Sequence, residues 1–414
     1  MPLDSLVSPF VGIVRGAEEV LSGPEDVRLT TVWCESAFPH ALTGGGSGPT
    51  EAGARAAAIG EVAERYAACI VDPDALVVAS ARELGPRAVD PARFALFTDR
   101  QYASEGFPYT RFDRDTRLAW IEGAALPGGE PAWLPAQLVH LAGHEGEAPL
   151  CRTTSSGLAC HDTVAGATLA ALLELLERDA FMITWKARLS WPGLEWRGND
   201  RLAAFERSFL RPTGLRIRAL DLSAFWDVPI VAAVVRGRTA VGVGAAAAAT
   251  AERAVAKALD EAVRVHTWAH ALARAGSPVP AADDVREFDD HVRFYADPCN
   301  ATRTDFLDAS PRRRGLEHMP NVRGSTHDEC IAAVCRRLAR RSASAYAVDV
   351  TPPDLRDAGL AVVRVVAPEL CGLDVEHRAR LHGGRRLYDE PRRLCMRPRA
   401  LTEDELNPDP HPFP

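Results

Sequence analysis

Along residues 153–185, TTSSGLACHDTVAGATLAALLELLERDAFMITW, apolar side chains recur every three or four positions: Leu169, Leu172, Leu173, Leu176 and Phe181. That period predicts a helix that opens after a turn-like Ser155-Ser156-Gly157. Set into the helix are Glu174, Glu177, Arg178 and Asp179. Residues three apart share a helix face, so Glu174 and Glu177 point the same way. The segment is too apolar to be a solvated helix, and two carboxylates in such surroundings are costly unless something positive meets them.

The pattern occurs twice more. An alternating strand, VRLTTVWCES, is followed by a glycine-rich connection, Thr43-Gly44-Gly45-Gly46-Ser47-Gly48, and then by a helix over about 50–70 with Thr50 as N-cap. That helix carries Glu61, Glu64 and Arg65. Further on, VPIVAAVVRG and TAVGVGAAA form a hairpin that leads into a helix from about Thr250, with Lys257, Glu261 and Arg264. In each case a Glu-x-x-(Glu/Arg) follows a glycine by about 15 to 17 residues, and the cores align as AIGEVAERY, LLELLERDA and ALDEAVRVH. Repeated strand–glycine–helix units predict a mixed α/β (α+β) fold with layers meeting at one central cleft. The ending NPDPHPFP has proline at every second position, which enforces an extended, polyproline-like tail. Composition alone favours a disordered terminus there.

The chain's 414 residues suffice for two domains or one large one. A net charge of −8 argues against a nucleic-acid partner. There is no signal peptide and no apolar run near the roughly 20 residues of a membrane span. Nine cysteines without CxxC pairs read as free thiols of a reducing cytoplasm. Lys186 and Lys257 are the only lysines in a chain otherwise using arginine. Five glutamates without His or Cys ligands suit magnesium rather than zinc. Arg65, Arg178 and Lys257 are placed to neutralise phosphate oxygens, and the Ser155 turn offers N–H groups to an anion. Together they describe a nucleotide–magnesium site without a P-loop. The competing reading at each helix is a salt-bridge ladder, with Arg264 as partner of Glu261. His161, His266 and His291 read as side chains satisfying local hydrogen bonds.

GEVAERY, SSGLACHDTVAGATLAALLELLERDA and AVAKALDEAVRVH resemble the three ATP-binding motifs of the YcaO superfamily. FDDHVRFYADP and VDVTPPDLRDAGLAVVRVVAPEL resemble further landmarks, so the likeness runs over about 7–386. The proline tail resembles that of the azoline-forming cyclodehydratases (D-protein type) that modify ribosomally synthesised peptides in natural-product and antibiotic biosynthesis. The resemblance implies the YcaO fold, with an ATP-binding catalytic domain over 1–386 and a Pro-rich C-terminal segment over 387–414. It implies a cytoplasmic enzyme in which a Cys, Ser or Thr side chain attacks the preceding carbonyl, ATP phosphorylates the amide oxygen, and loss of phosphate leaves a thiazoline or oxazoline. In that picture Glu61, Glu64, Glu174, Glu177 and Glu261 hold Mg2+, with Glu64 and Glu177 also serving ATP. Ser155, Arg65, Arg178 and Lys257 contact the nucleotide, and the carboxylate of Pro414 is catalytic. Deleting the last five residues is then expected to spare folding and ATP binding while stopping cyclisation.

The implied partners are a precursor peptide, a separate E1-like or leader-peptide-binding protein, a flavin-dependent dehydrogenase and a second copy in a homodimer. Thioamide or amidine formation is an alternative that the proline tail speaks against. A non-catalytic scaffold is another, against which stand the five glutamates. The chain departs from the usual family pattern at four places. Gly44-Gly45-Gly46 stands where a lysine is frequent, and His161-Asp162 where Gly-Asn is common. A helix glutamate is missing near Gly166, and Arg264 replaces a glutamine.

Overall fold

A computed structural model describes residues 2–20, 26–36, 42–144 and 146–413. In chain order the strands are β1 (Val14–Val20), β2 (Thr30–Ser36), β3 (Thr43–Gly48), β4 (Leu76–Ser80), β5 (Arg117–Ala125), β6 (Pro131–Pro135) and β7 (Leu158–His161). They continue with β8 (Gly193–Glu195), β9 (Arg216–Asp221), β10 (Ile230–Arg236), β11 (Val241–Ala247), β12 (Arg313–Gly315), β13 (Tyr346–Asp349) and β14 (Ala361–Val366). Three long helices carry the glutamates: α1 (Glu51–Cys69), α2 (Val164–Lys186) and α3 (Ala251–Arg274). The fold is mixed helix and sheet, as the repeated units predict.

The chain divides into two compact units, Met1–Val20, Thr30–Leu175 and Gly324–Leu370 in the first, and Leu21–Leu29, Leu176–Arg323 and Cys371–Pro414 in the second. The first holds an antiparallel sheet β1-β2-β3 and a sheet ordered β4-β5-β13-β14-β7, with β6 on β5. The second holds the sheet β11-β10-β9-β8-β12, antiparallel except for the parallel pair β8 and β12.

Missing Cβ atoms decide how helix meets strand. A Cβ on Gly44 would lie 2.6 Å from the Ala58 carbonyl oxygen, and one on Gly46 2.1 Å from that of Ala54. The facing side of α1 is small and buried, with Ala54, Ala58 and Val62. The glycine-rich stretch expected to be a connection is therefore strand β3. Glycine is a poor strand former by itself, and here close packing against α1 overrides that preference. In the second unit β10 and β11 form the expected hairpin, from Ile230↔Ala247 to Arg236↔Val241. A Cβ on Gly242 would sit 2.2 Å from the Ala262 oxygen and one on Gly244 2.4 Å from the Ala262 nitrogen, so α3 repeats the arrangement.

The central helix does not start after Gly157. Gly157 turns at φ +82°, β7 follows and pairs with β14, and α2 opens only at Val164.

The proline tail is packed as far as Phe413, and Pro414 lies outside the described residues. The Asn407 N–H donates to the Lys186 oxygen at 2.7 Å. Carbonyls of Asn407, Asp409, Pro410 and His411 face Arg380, Trp185, Tyr295 and His291 at 2.5, 3.1, 2.5 and 2.8 Å. Proline removes every second donor, and the second unit meets the carbonyls that remain. Asn407, His411 and Phe413 are buried. Removing the last five residues would take Pro410, His411, Pro412 and Phe413 out of the interior, which weighs against the expectation that their deletion spares folding.

Two charged groups of α2 are structural. Lys186 is fully buried, pairs with Asp374 at 3.0 Å and donates to the Leu381 carbonyl at 2.8 Å. Asp179, also fully buried, accepts from the Cys371 N–H and the Trp226 indole, each at 2.9 Å, and from Arg386 at 2.7 Å. Among the described residues no helix is long and apolar enough to cross a membrane, and all nine cysteines are free.

Gly244→Ala will destabilise the protein by about 2–3 kcal/mol, because the new methyl meets backbone rather than a flexible side chain. By contrast Gly60→Ala, within α1 and with nothing inside 4 Å of the added carbon, will stabilise it by up to about 1 kcal/mol. Lys186→Met will cost about 3–5 kcal/mol by leaving Asp374 buried without its counter-ion. Urea unfolding of the three variants beside the parent checks all three.

Candidate nucleotide and magnesium site

Each long helix sends a glutamate back to the main chain of the strand or turn that precedes it. Glu61 Oε2 accepts from the Gly45 N–H at 2.7 Å, 16 residues earlier. Glu174 Oε2 accepts from the Gly157 N–H at 3.2 Å, 17 residues earlier. Glu261 Oε2 accepts from the Ala245 N–H at 2.8 Å, again 16 residues earlier. The glycines beside Gly45 and Ala245 let the helix approach until a glutamate side chain spans the gap. That is the physical content of the repeated spacing.

The other two glutamates also take backbone donors. Glu64 Oε1 accepts from the Cys160 N–H at 2.9 Å, and Glu177 Oε2 from the Ala247 N–H at 3.1 Å. Glu61, Glu64 and Glu174 thus belong to the first unit, and Glu177 and Glu261 to the second.

In the first unit the carboxylates crowd one another. Burial, then the neighbouring Glu174, then Glu61, push Glu64 up to about 8, against the lowering effects of the Cys160 N–H and Arg65. Arg364 of β14, which sequence reasoning passed over, is the counter-charge here. It is buried, its Nη1 donates to the Thr154 carbonyl at 2.8 Å, and its Nε has no hydrogen-bond partner. Burial lowers it to about 10 while Glu174 raises it. The available signal was a lone arginine inside the apolar strand AVVRVV.

The expected phosphate-binding cations sit differently from one another. Arg65 pairs with Glu61 at 2.6 Å and also donates to the Thr43 carbonyl. Arg264 lies 3.8 Å from Glu261, so the ladder reading describes part of both helices. Arg178 lies 3.7 Å from Glu177 and under the Phe413 ring. Lys257 is exposed on α3. The carbonyl of Ser155 accepts from the Leu158 N–H at 2.9 Å, which closes the turn before β7.

The family departures have local reasons. A Cβ on Gly166 would lie 2.3 Å from Nδ1 of His161, so the histidine fills the space that a larger residue would need. His161 also pairs with Asp162. His291 meets two carbonyls, but neither ring nitrogen of buried His266 has a partner, contrary to the expectation for it. Its ring lies against the glycines instead, 2.4 Å from where a Cβ on Gly237 would be.

Among the described residues no three His, Cys, Asp or Glu side chains form a group able to hold a metal by themselves. Magnesium does not require one, because it takes one or two carboxylates and completes its shell with water and phosphate. The donor set fits that habit. It is all oxygen, and a carboxyl held up by like charges is relieved by a cation.

The sequence matches the family described as "YcaO cyclodehydratase, ATP- and Mg2+-binding" over residues 45–371. It is 26% identical over 342 residues to an uncharacterized protein of Methanothermobacter thermautotrophicus, covering 78% of this chain and 80% of that one. The fold is similar to that of a heterocyclase solved in complex with substrate and cofactor, with TM-score 0.82 and 22% identity, covering 100% of this chain and 57% of that one. The chain therefore spans little more than half the length of that heterocyclase. It is also similar to YcaO from Methanopyrus kandleri bound with AMPPCP and Mg2+, with TM-score 0.61 and 21% identity, covering 88% of each chain. Backbone-clamped glutamates on three small-residue helices, within a match that spans most of the sequence, lead to one conclusion: the chain belongs to the YcaO cyclodehydratase family, which binds ATP and Mg2+.

Proposed function

We propose that the protein is an ATP-dependent peptide cyclodehydratase. The observation that carries this reading is the set of helix glutamates fixed by backbone N–H groups, with Glu64 pushed up to about 8 by burial and its carboxylate neighbours. Glu61, Glu64, Glu174, Glu177 and Glu261 hold magnesium and nucleotide. Arg65, Arg178, Lys257 and the Ser155 turn neutralise and orient phosphate. Phosphoryl transfer needs mainly positioning and charge neutralisation, and fixed carboxylates and guanidinia supply both.

The substrate is a precursor peptide, as befits the likeness to a heterocyclase solved with its substrate. A Cys, Ser or Thr side chain adds to the preceding carbonyl carbon. Bound ATP supplies the phosphoryl group that makes the former amide oxygen a leaving group. The amide nitrogen loses its proton, the C–O bond breaks, and azoline, ADP and phosphate result. The carboxylate of Pro414 takes a proton in this scheme. An E1-like or leader-peptide-binding protein presents the peptide, a flavin-dependent dehydrogenase oxidises azoline to azole, and the enzyme works as a homodimer in the cytoplasm. The buried proline tail favours this chemistry over thioamide or amidine formation.

Titration with ATP in the presence of Mg2+ will show binding that falls at least tenfold in Glu174→Ala, by about 1.4 kcal/mol or more. Equal affinity of the two proteins would favour the scaffold reading. The raised Glu64 carries its own pH signature. Between its ordinary value of 4.5 and about 8, the folded chain holds a proton that the unfolded chain has released. Stability without Mg2+ therefore declines as pH rises through that window. Added Mg2+ will flatten the decline and Glu64→Gln will remove it, both read from thermal unfolding across pH.

A further inference from the structure

Phe413, next to the C-terminus, is fully buried in the second unit. Its ring has two neighbours on one face of α2. The Phe181 ring centre lies 4.8 Å away at a 37° tilt, and the Arg178 guanidinium carbon lies 4.4 Å from the Phe413 centroid. Arg178 Nε is also 3.7 Å from Glu177 Oε1, and its side chain is only 14% exposed. An arginine head held by an aromatic face and a carboxylate loses most of its rotamer freedom.

The tail delivers that ring. Its carbonyl contacts with Arg380, Trp185, Tyr295 and His291 fix residues 407–411, and the Phe413 N–H donates to His411 Nδ1 at 3.3 Å. His411 is held in turn, with Nε2 donating to the Asp374 carbonyl at 2.7 Å. A segment fastened at so many points presents one side chain in one place.

We infer that Phe413 is a positioning residue for the nucleotide: its ring sets the Arg178 guanidinium, so that docking of the C-terminal tail and binding of ATP are thermodynamically coupled. The inference rests on the assignment of Arg178 to phosphate or nucleotide. It adds that the tail acts on cofactor affinity, apart from any proton transfer at its last residue. Coupling of this kind is reciprocal: a docked tail tightens ATP, and ATP tightens the tail.

The test uses the full-length chain with ATP and Mg2+. Phe413→Leu keeps an apolar filler but has no π face, and Phe413→Tyr keeps the face. ATP affinity, read by titration calorimetry, is expected to fall about fivefold in Phe413→Leu and to return in Phe413→Tyr. Arg178→Ala sets the scale. Wild-type affinity in Phe413→Leu, with affinity lost in Arg178→Ala, overturns this inference and leaves the nucleotide reading intact. Wild-type affinity in Arg178→Ala overturns the assignment of Arg178 and the inference with it. A second measurement needs no variant: hydrogen exchange at the Asp409, His411 and Phe413 amides of the parent protein is expected to slow several-fold when ATP and Mg2+ are added. Unchanged exchange at saturating nucleotide overturns the coupling even if the variants fail to fold.

Discussion

A strand without side chains pressed against a helix of small residues is the constraint on which the rest depends. At Gly44 and Gly46 against Ala54 and Ala58, and again at Gly242 and Gly244 against Ala258 and Ala262, any Cβ would collide with helix backbone. The close approach lets Glu61 and Glu261 reach strand N–H groups. Those hydrogen bonds hold the two carboxylates in place.

The charged groups of this protein differ less in how deeply they lie than in what neutralises them. Lys186 and Asp374 are buried and paired, as is Asp179 with the half-buried Arg386, and their neighbours are carbonyls, amides and an indole. Glu64 has one backbone donor, the nearby Arg65 cation and two like-charged neighbours that outweigh them. Arg364, lowered to about 10 by burial, still carries its charge at neutral pH, and it acts on Glu174.

The tail shows how proline spacing can specify a buried segment. Alternate prolines remove half the N–H donors and hold the chain extended. The remaining carbonyls then become the recognition features, and side chains of the second unit meet them one after another. The order of the terminus is therefore a property of Trp185, Tyr295 and His291, none of which lies near it in sequence.

The three helices were legible because their apolar period and small-residue faces are local, and Thr50 and Thr250 cap α1 and α3 as their positions imply. The five glutamates stood out because acidic side chains are conspicuous in apolar sequence, and the family likeness rested on the resemblance of GEVAERY, SSGLACHDTVAGATLAALLELLERDA and AVAKALDEAVRVH to the family's motifs. Strands β3 and β7 were not legible, since glycine and a four-residue stretch carry no strand preference, and only pairing and packing with distant residues make them strands. Arg364 beside Glu174, Phe413 on Arg178 and the structural fate of Lys186 were equally beyond local reading. Each is an interaction, electrostatic or by contact, between residues some 190 to 235 positions apart. Residue type and period determined which groups were available for chemistry. The tertiary structure decided their charge state and their partners, because both depend on what the chain brings near from far along its length.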